Sequence, residues 1–145
     1  MKAEIEQAVG RINGSFGEAG WTPIRYLYRS IDRTALAAYY GAADLALVTP
    51  LRDGMNLVAK EYVACRYDES GALLLSEFAG AADEFRQAFL VNPHDINGLK
   101  DTMIETMTAD PRQLGRRMKA MRKHLAGHDV NVWAASFLKA LHADD

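Results

Sequence analysis

The run Leu45-Ala-Leu-Val48 constrains this chain more than any other stretch, because of the turn and helix encoded directly after it. Four apolar residues make a segment of strand length. Pro50 stops it, since proline has no amide hydrogen to give to a sheet ladder. A polar turn at Asp53-Gly54 comes next, and then a helical pattern over residues 55–66. Gly54 can take the positive φ of a tight turn, and without a Cβ it lets a ligand approach the backbone. Asn56 is a suitable helix cap, so the N–H groups of residues 57–59 would point back at the turn. Strand, glycine turn and helix N-terminus in succession make an anion site, because free donors and the macrodipole both favour phosphate.

Glu61 comes four positions after Leu57 and three after Val58, so the three share one helix face. Its carboxylate would stand one turn, about 5–6 Å, inside the phosphate end. That depth suits vicinal hydroxyls such as those of a ribose. Asp53, at the turn itself, could hold sugar hydroxyls on the other side of the phosphates. The same letters also fit a plain Asp-Gly turn and then a solvated glutamate, and spacing alone leaves both readings open.

The rest of the chain repeats the alternation. A first helix carries Ile5, Ala8, Val9 and Ile12 and ends at Asn13-Gly14. After a Gly-rich connection, residues 24–28 are rich in β-branched and aromatic side chains and predict a strand. Asp32 caps a helix with Leu36, Tyr39, Tyr40 and Ala43 on its apolar face. Residues 73–75 predict a strand covered on both faces, residues 81–87 a short helix, and residues 88–91 a fourth strand. Asp95 caps a helix with Ile96, Leu99, Met103 and Met107 on one face. The helix after Pro111 uses Leu114, Met118, Met121 and Leu125, and Asp129 opens a last one with Val130, Trp133, Phe137 and Leu141. Strands alternating with helices through short loops predict an α/β fold. It would be one parallel sheet of about four strands, flanked by helices and trailed by C-terminal helices.

A net charge of −2 gives no general attraction to nucleic acid or to an anionic membrane. Arg112, Arg116, Arg117, Lys119, Arg122 and Lys123 fill the non-apolar positions of one amphipathic helix without interleaved aromatics. They read as a solvated face rather than a nucleic-acid patch. The single cysteine, Cys65, excludes an internal disulfide, agrees with a reducing cytoplasm, and is expected to be a buried, inert thiol. No apolar run reaches the ~18 residues of a membrane span. His94, His124, His128 and His142 are scattered, so no metal and no cofactor is expected.

Thr49-Pro-Leu-Arg-Asp-Gly-Met-Asn-Leu-Val-Ala-Lys-Glu-Tyr-Val-Ala64 resembles the signature of the trehalose-6-phosphate synthase family, retaining glycosyltransferases of the two-domain GT-B type. The resemblance extends through Arg11-Ile-Asn-Gly14, Gly20-Trp-Thr-Pro23, Asp32-Arg33, Ser76-Glu-Phe-Ala-Gly-Ala-Ala82, Asn92-Pro93 and residues 129–133, covering nearly the whole chain. It implies a Rossmann-like, donor-binding C-terminal domain. Asp53 would be the catalytic-site carboxylate contacting hydroxyls of the transferred glucose. The backbone of Gly54, Met55 and Asn56 would hold sugar and phosphate oxygens. Leu57 and Val58 would pack and hydrogen-bond at the nucleotide, Glu61 would take the ribose, and the backbone at Ile31 would seat the uracil edge.

The implied reaction carries glucose from UDP-glucose, or another nucleoside-diphosphate glucose, to glucose 6-phosphate. A related member with another acceptor, such as a glucosylglycerol-phosphate synthase or a pseudo-glycosyltransferase, would share every one of these residues. A non-catalytic interaction module is the reading from a different class. In the family, the Arg/Lys pair on the diphosphate and the acceptor domain precede this region. Rossmann sheets run 3-2-1-4-5-6, so residues 24–28 would be strand 3 and Leu45–Val48 strand 4, with a bare edge. The expectation is therefore a fragment that self-associates or awaits its N-terminal half.

Overall fold

The computed structural model describes residues 1–128 and 130–142, in two units, Met1–Asp32 and Arg33–Asp145. The proposed cap Asp129 lies outside the described residues.

In the first unit, helix α1 (Lys2–Phe16) runs one turn beyond the predicted stop at Asn13-Gly14 and closes on Gly17, whose N–H donates to the Asn13 carbonyl. None of its residues is buried. The predicted strand at residues 24–28 is extended backbone and not a strand. The side chain of Asn13 takes both backbone groups of Ile24, donating from Nδ2 to its carbonyl at 2.9 Å and accepting from its N–H at 2.9 Å. Strand-like composition supplies a surface to pack, not a ladder, and among the described residues no neighbouring strand offers one.

The second unit holds the sheet. Helix α2 (Arg33–Ala42) precedes strand β1 (Leu45–Val48), and helix α3 (Leu57–Cys65) leads to strand β2 (Ala72–Ser76). The short helix α4 (Ala81–Glu84) precedes strand β3 (Phe89–Val91), and helices α5 (Ile96–Thr108), α6 (Pro111–Gly127) and α7 (Val130–Leu141) complete it. Among the described residues the sheet has three strands in the order β1-β2-β3, parallel throughout, with Leu47 opposite Leu74 and Leu75 opposite Leu90. The expected α/β layering is present, one strand short of the predicted four.

Successive residues of β2 point to opposite faces, and both faces are covered. Leu73 and Leu75 join Val48, Ala59, Tyr62, Val63, Phe85, Met118 and Met121 in one core. Ala72 and Leu74 join Phe89 and Val91 in a second, with Leu99, Met103 and Leu114 packed against it. Every residue of β2 is buried, which explains its unbroken apolar letters.

The predicted face of α5 is only half right. Leu99 and Met103 pack on the sheet, but Ile96 and Met107, on the same stripe at the two ends of the helix, are exposed. Tyr39 of α2 is also exposed, and Cys65 is half-buried rather than fully enclosed. On α7, Trp133, Phe137 and Leu141 are all more than half exposed, against the expectation of a buried stripe. No described helix is long and apolar enough to cross a membrane.

Buried Arg66 ties the helices together. Its Nη1 donates to the carbonyls of Gly41 at 2.6 Å, Ala43 at 3.0 Å and Tyr40 at 3.3 Å, and its Nε donates to Ser70 at 3.0 Å. The carbonyls at the end of α2, which a helix leaves unpaired, thus meet a cation placed just after α3.

Candidate functional site

The loops that leave the carboxyl ends of β1 and β2 are stitched to each other. Asp53 N–H donates to the Phe78 carbonyl at 3.2 Å, Gly80 N–H to Asp53 at 3.0 Å, and Ala81 N–H to Met55 at 2.7 Å. The stitch requires glycine at position 80, where a Cβ would lie 2.3 Å from the Gly54 carbonyl oxygen. Gly80 belongs to a segment the sequence matched to a family without assigning it a task.

Asp53 organises the turn itself. One carboxylate oxygen accepts from Met55 N–H at 3.0 Å and the other from Asn56 Nδ2 at 3.0 Å. The Met55 amide, then the Asn56 side chain, hold its pKa below the usual carboxylate value, so it carries its charge at neutral pH. Gly54 does not take the positive φ expected of it. The left-handed step falls at Asn56, at φ 77°, because the Asp53 carboxylate winds the turn two residues further, and asparagine tolerates that region. Asn56 is the predicted cap of α3, and its Oδ1 accepts from Ala59 N–H at 2.9 Å. The donor expected at position 59 is therefore occupied. Among the described residues, no acceptor meets the amides of Leu57 and Val58, whose side chains are exposed.

Asp53 and Gly54 line a cleft of about 260 Å³ together with Arg52, Glu77, Phe78, Ala79, Gly80 and Asp83. Three carboxylates and one guanidinium suit a polyhydroxyl ligand better than a bare anion, because carboxylates accept from hydroxyls and repel phosphate. Glu77, Phe78 and Asp83 were given no role by sequence reasoning, since Glu77 and Phe78 are exposed loop residues and α4, which bears Asp83, is too short to show a period. Glu61 does not line this cleft. It is exposed on α3, where its Oε2 accepts from the Tyr40 hydroxyl at 3.1 Å. Burial, then the Glu61 carboxylate, pushes the Tyr40 hydroxyl up to about 12. Ile31 is half-buried in the first unit, and the other seven candidate residues belong to the second.

A crevice outside the carboxyl ends of parallel strands is where open α/β sheets take their ligands. The fold and the cleft thus define an α/β domain with an open crevice at the carboxyl end of its parallel sheet. Residues 1–143 match the model of glycosyltransferase family 20, and the chain belongs to that family. It is 58% identical over 141 residues to a trehalose-6-phosphate synthase of Mycolicibacterium vanbaalenii, covering 97% of this chain and 29% of that protein. An alpha,alpha-trehalose-phosphate synthase (UDP-forming) from Burkholderia xenovorans, in complex with glucose-6-phosphate, superposes with TM-score 0.90 at 42% identity. That match covers 97% of this chain and 32% of the other. An E. coli structure bound with UDP-2-fluoro glucose gives TM-score 0.90 at 41% identity, over 97% of this chain and 31% of that one. The chain therefore spans about three-tenths of the length of the proteins it matches.

Proposed function

We propose that this chain is the donor-binding, C-terminal domain of a retaining GT-B glycosyltransferase. The assembled enzyme transfers glucose from UDP-glucose, or another nucleoside-diphosphate glucose, to glucose 6-phosphate and forms trehalose 6-phosphate. The observation that carries this reading is the segment from Thr49 to Glu61, folded as a turn and helix start at the carboxyl edge of the sheet. It sits within a family whose members act as trehalose-6-phosphate synthases.

In this reading Asp53, ionised and fixed by its own loop, accepts from hydroxyls of the transferred glucose. Gly54, Met55 and Asn56 present backbone to the sugar and the diphosphate. The unclaimed amides of Leu57 and Val58 turn toward the nucleotide, Glu61 takes the ribose diol, and Ile31 seats the base. Rate comes from positioning the acceptor and stabilising the leaving diphosphate, with no metal or cofactor held by these residues.

The acceptor site and the cations on the diphosphate belong to the remainder of the enzyme, placed in the cytoplasm. The open edge of β1 and the exposed apolar residues of α7 support a partner there, either the N-terminal half or a second copy. Nucleic acid is not a partner in this reading. Arg117 bonds the Gln87 carbonyl at 3.0 Å, Lys119 lies 3.6 Å from Glu69, and Arg122 sits over Tyr67.

The test is a chimera in which this chain replaces the matching region of the M. vanbaalenii relative. Formation of trehalose 6-phosphate is expected, with Asp53→Ala reducing the rate by about a hundredfold or more. A folded chimera that turns over only with another acceptor would move the reading to a related enzyme. One without any transfer would make the chain an interaction module.

A further inference from the structure

We propose that Tyr40 is a positioning residue for nucleotide recognition, holding Glu61 in the rotamer that receives the ribose hydroxyls. The inference rests on the reading of Glu61 as the ribose ligand given above. Glu61 is exposed, and a lone exposed glutamate samples several rotamers, so ordering it on a ligand costs entropy. Here its Oε2 already accepts from the Tyr40 hydroxyl at 3.1 Å, across 21 positions of sequence. Each carboxylate oxygen has two lone pairs, so Oε2 can keep this bond while the pair of oxygens faces a vicinal diol.

Tyr40 is itself held. Its ring lies edge-on to the buried Tyr62 ring, with centroids 6.3 Å apart. Its carbonyl and that of Gly41 are gripped by the Arg66 guanidinium, and the Tyr62 hydroxyl donates to Ala43 at 3.1 Å. The chain of contacts runs from a buried cation, through the end of α2, to one carboxylate on α3. The hydroxyl, its pKa raised well above neutral pH, keeps its proton and donates it to the Glu61 carboxylate.

The test compares binding of UDP with binding of 2′,3′-dideoxy-UDP in the chimera and its variants. Tyr40→Phe keeps the ring and removes the hydroxyl. The expected result is a loss of UDP affinity of about three- to tenfold with dideoxy-UDP binding unchanged. In Glu61→Ala, adding Tyr40→Phe is expected to cost nothing further, because the side chain that Tyr40 holds is gone. Equal weakening of both nucleotides, or additive losses in the double variant, would make Tyr40 a packing residue and overturn the inference. Unchanged UDP affinity in Tyr40→Phe would overturn it as well. A parent chimera that binds the two nucleotides equally would overturn the ribose role of Glu61, a separate outcome that also removes the basis for Tyr40.

Discussion

Strands β1 and β2 lie side by side and are spelled from nearly the same letters, yet they are buried to different degrees. All five residues of β2 are buried, while in β1 only Val48 is, and Leu47 remains 45% exposed. Among the described residues, β2 has a strand on each side and helices on each face, whereas β1 has a ladder on one edge alone. The contrast shows that burial is supplied by neighbours, and that apolar composition only makes it possible.

The sharpest way to break this comparison is to truncate the paired residues Leu74 and Leu47, which face each other in register. Leu74→Ala is expected to cost about 2–5 kcal/mol in urea unfolding, and Leu47→Ala about 1 kcal/mol or less. Equal losses would mean that β1 is covered in solution by something that shields it as fully as β2. A smaller effect is expected where the two strands' carboxyl ends are tied together. Gly80→Ala forces the Gly54 carbonyl aside and should cost about 1–3 kcal/mol, with weakened UDP binding in calorimetry of the chimera. Stability lost without loss of UDP affinity would separate the stitch from the site.

The smallest effect concerns acid. The native fold depresses the Asp53 pKa below its ordinary 3.8, so its contribution is present above that value and lost as pH falls through the lower folded one. Asp53→Asn is expected to flatten the acid limb of the unfolding profile below pH 3.8 and leave the neutral region nearly unchanged. An unaltered acid limb would show that the turn keeps its form without the charge.

Local chemistry was the legible part of this molecule. Leu45–Val48 ends where Pro50 said it would, Asn56 and Asp95 cap their helices, and the stripe of Met118 and Met121 is core. Residues 24–28 have the letters of a strand, but pairing depends on a neighbour that no local pattern reports. The positive φ falls at Asn56 rather than at Gly54, because the Asp53 carboxylate, bonded to the Met55 N–H, sets where the turn winds. The bond from Tyr40 to Glu61 and the approach of Gly80 to Gly54 join distant stretches, so neither periodicity nor spacing could announce them.

The guanidinium of Arg66 is a planar, pre-organised fork, so one side chain clasps the carbonyls of Tyr40, Gly41 and Ala43 at the end of α2 together. The end of α2, with Tyr40, and the C-terminal end of α3 are thus joined as one piece. Adjustment is left to the loops beyond the strand ends, and the Glu61 carboxylate travels with the helix that bears it, already bonded to Tyr40.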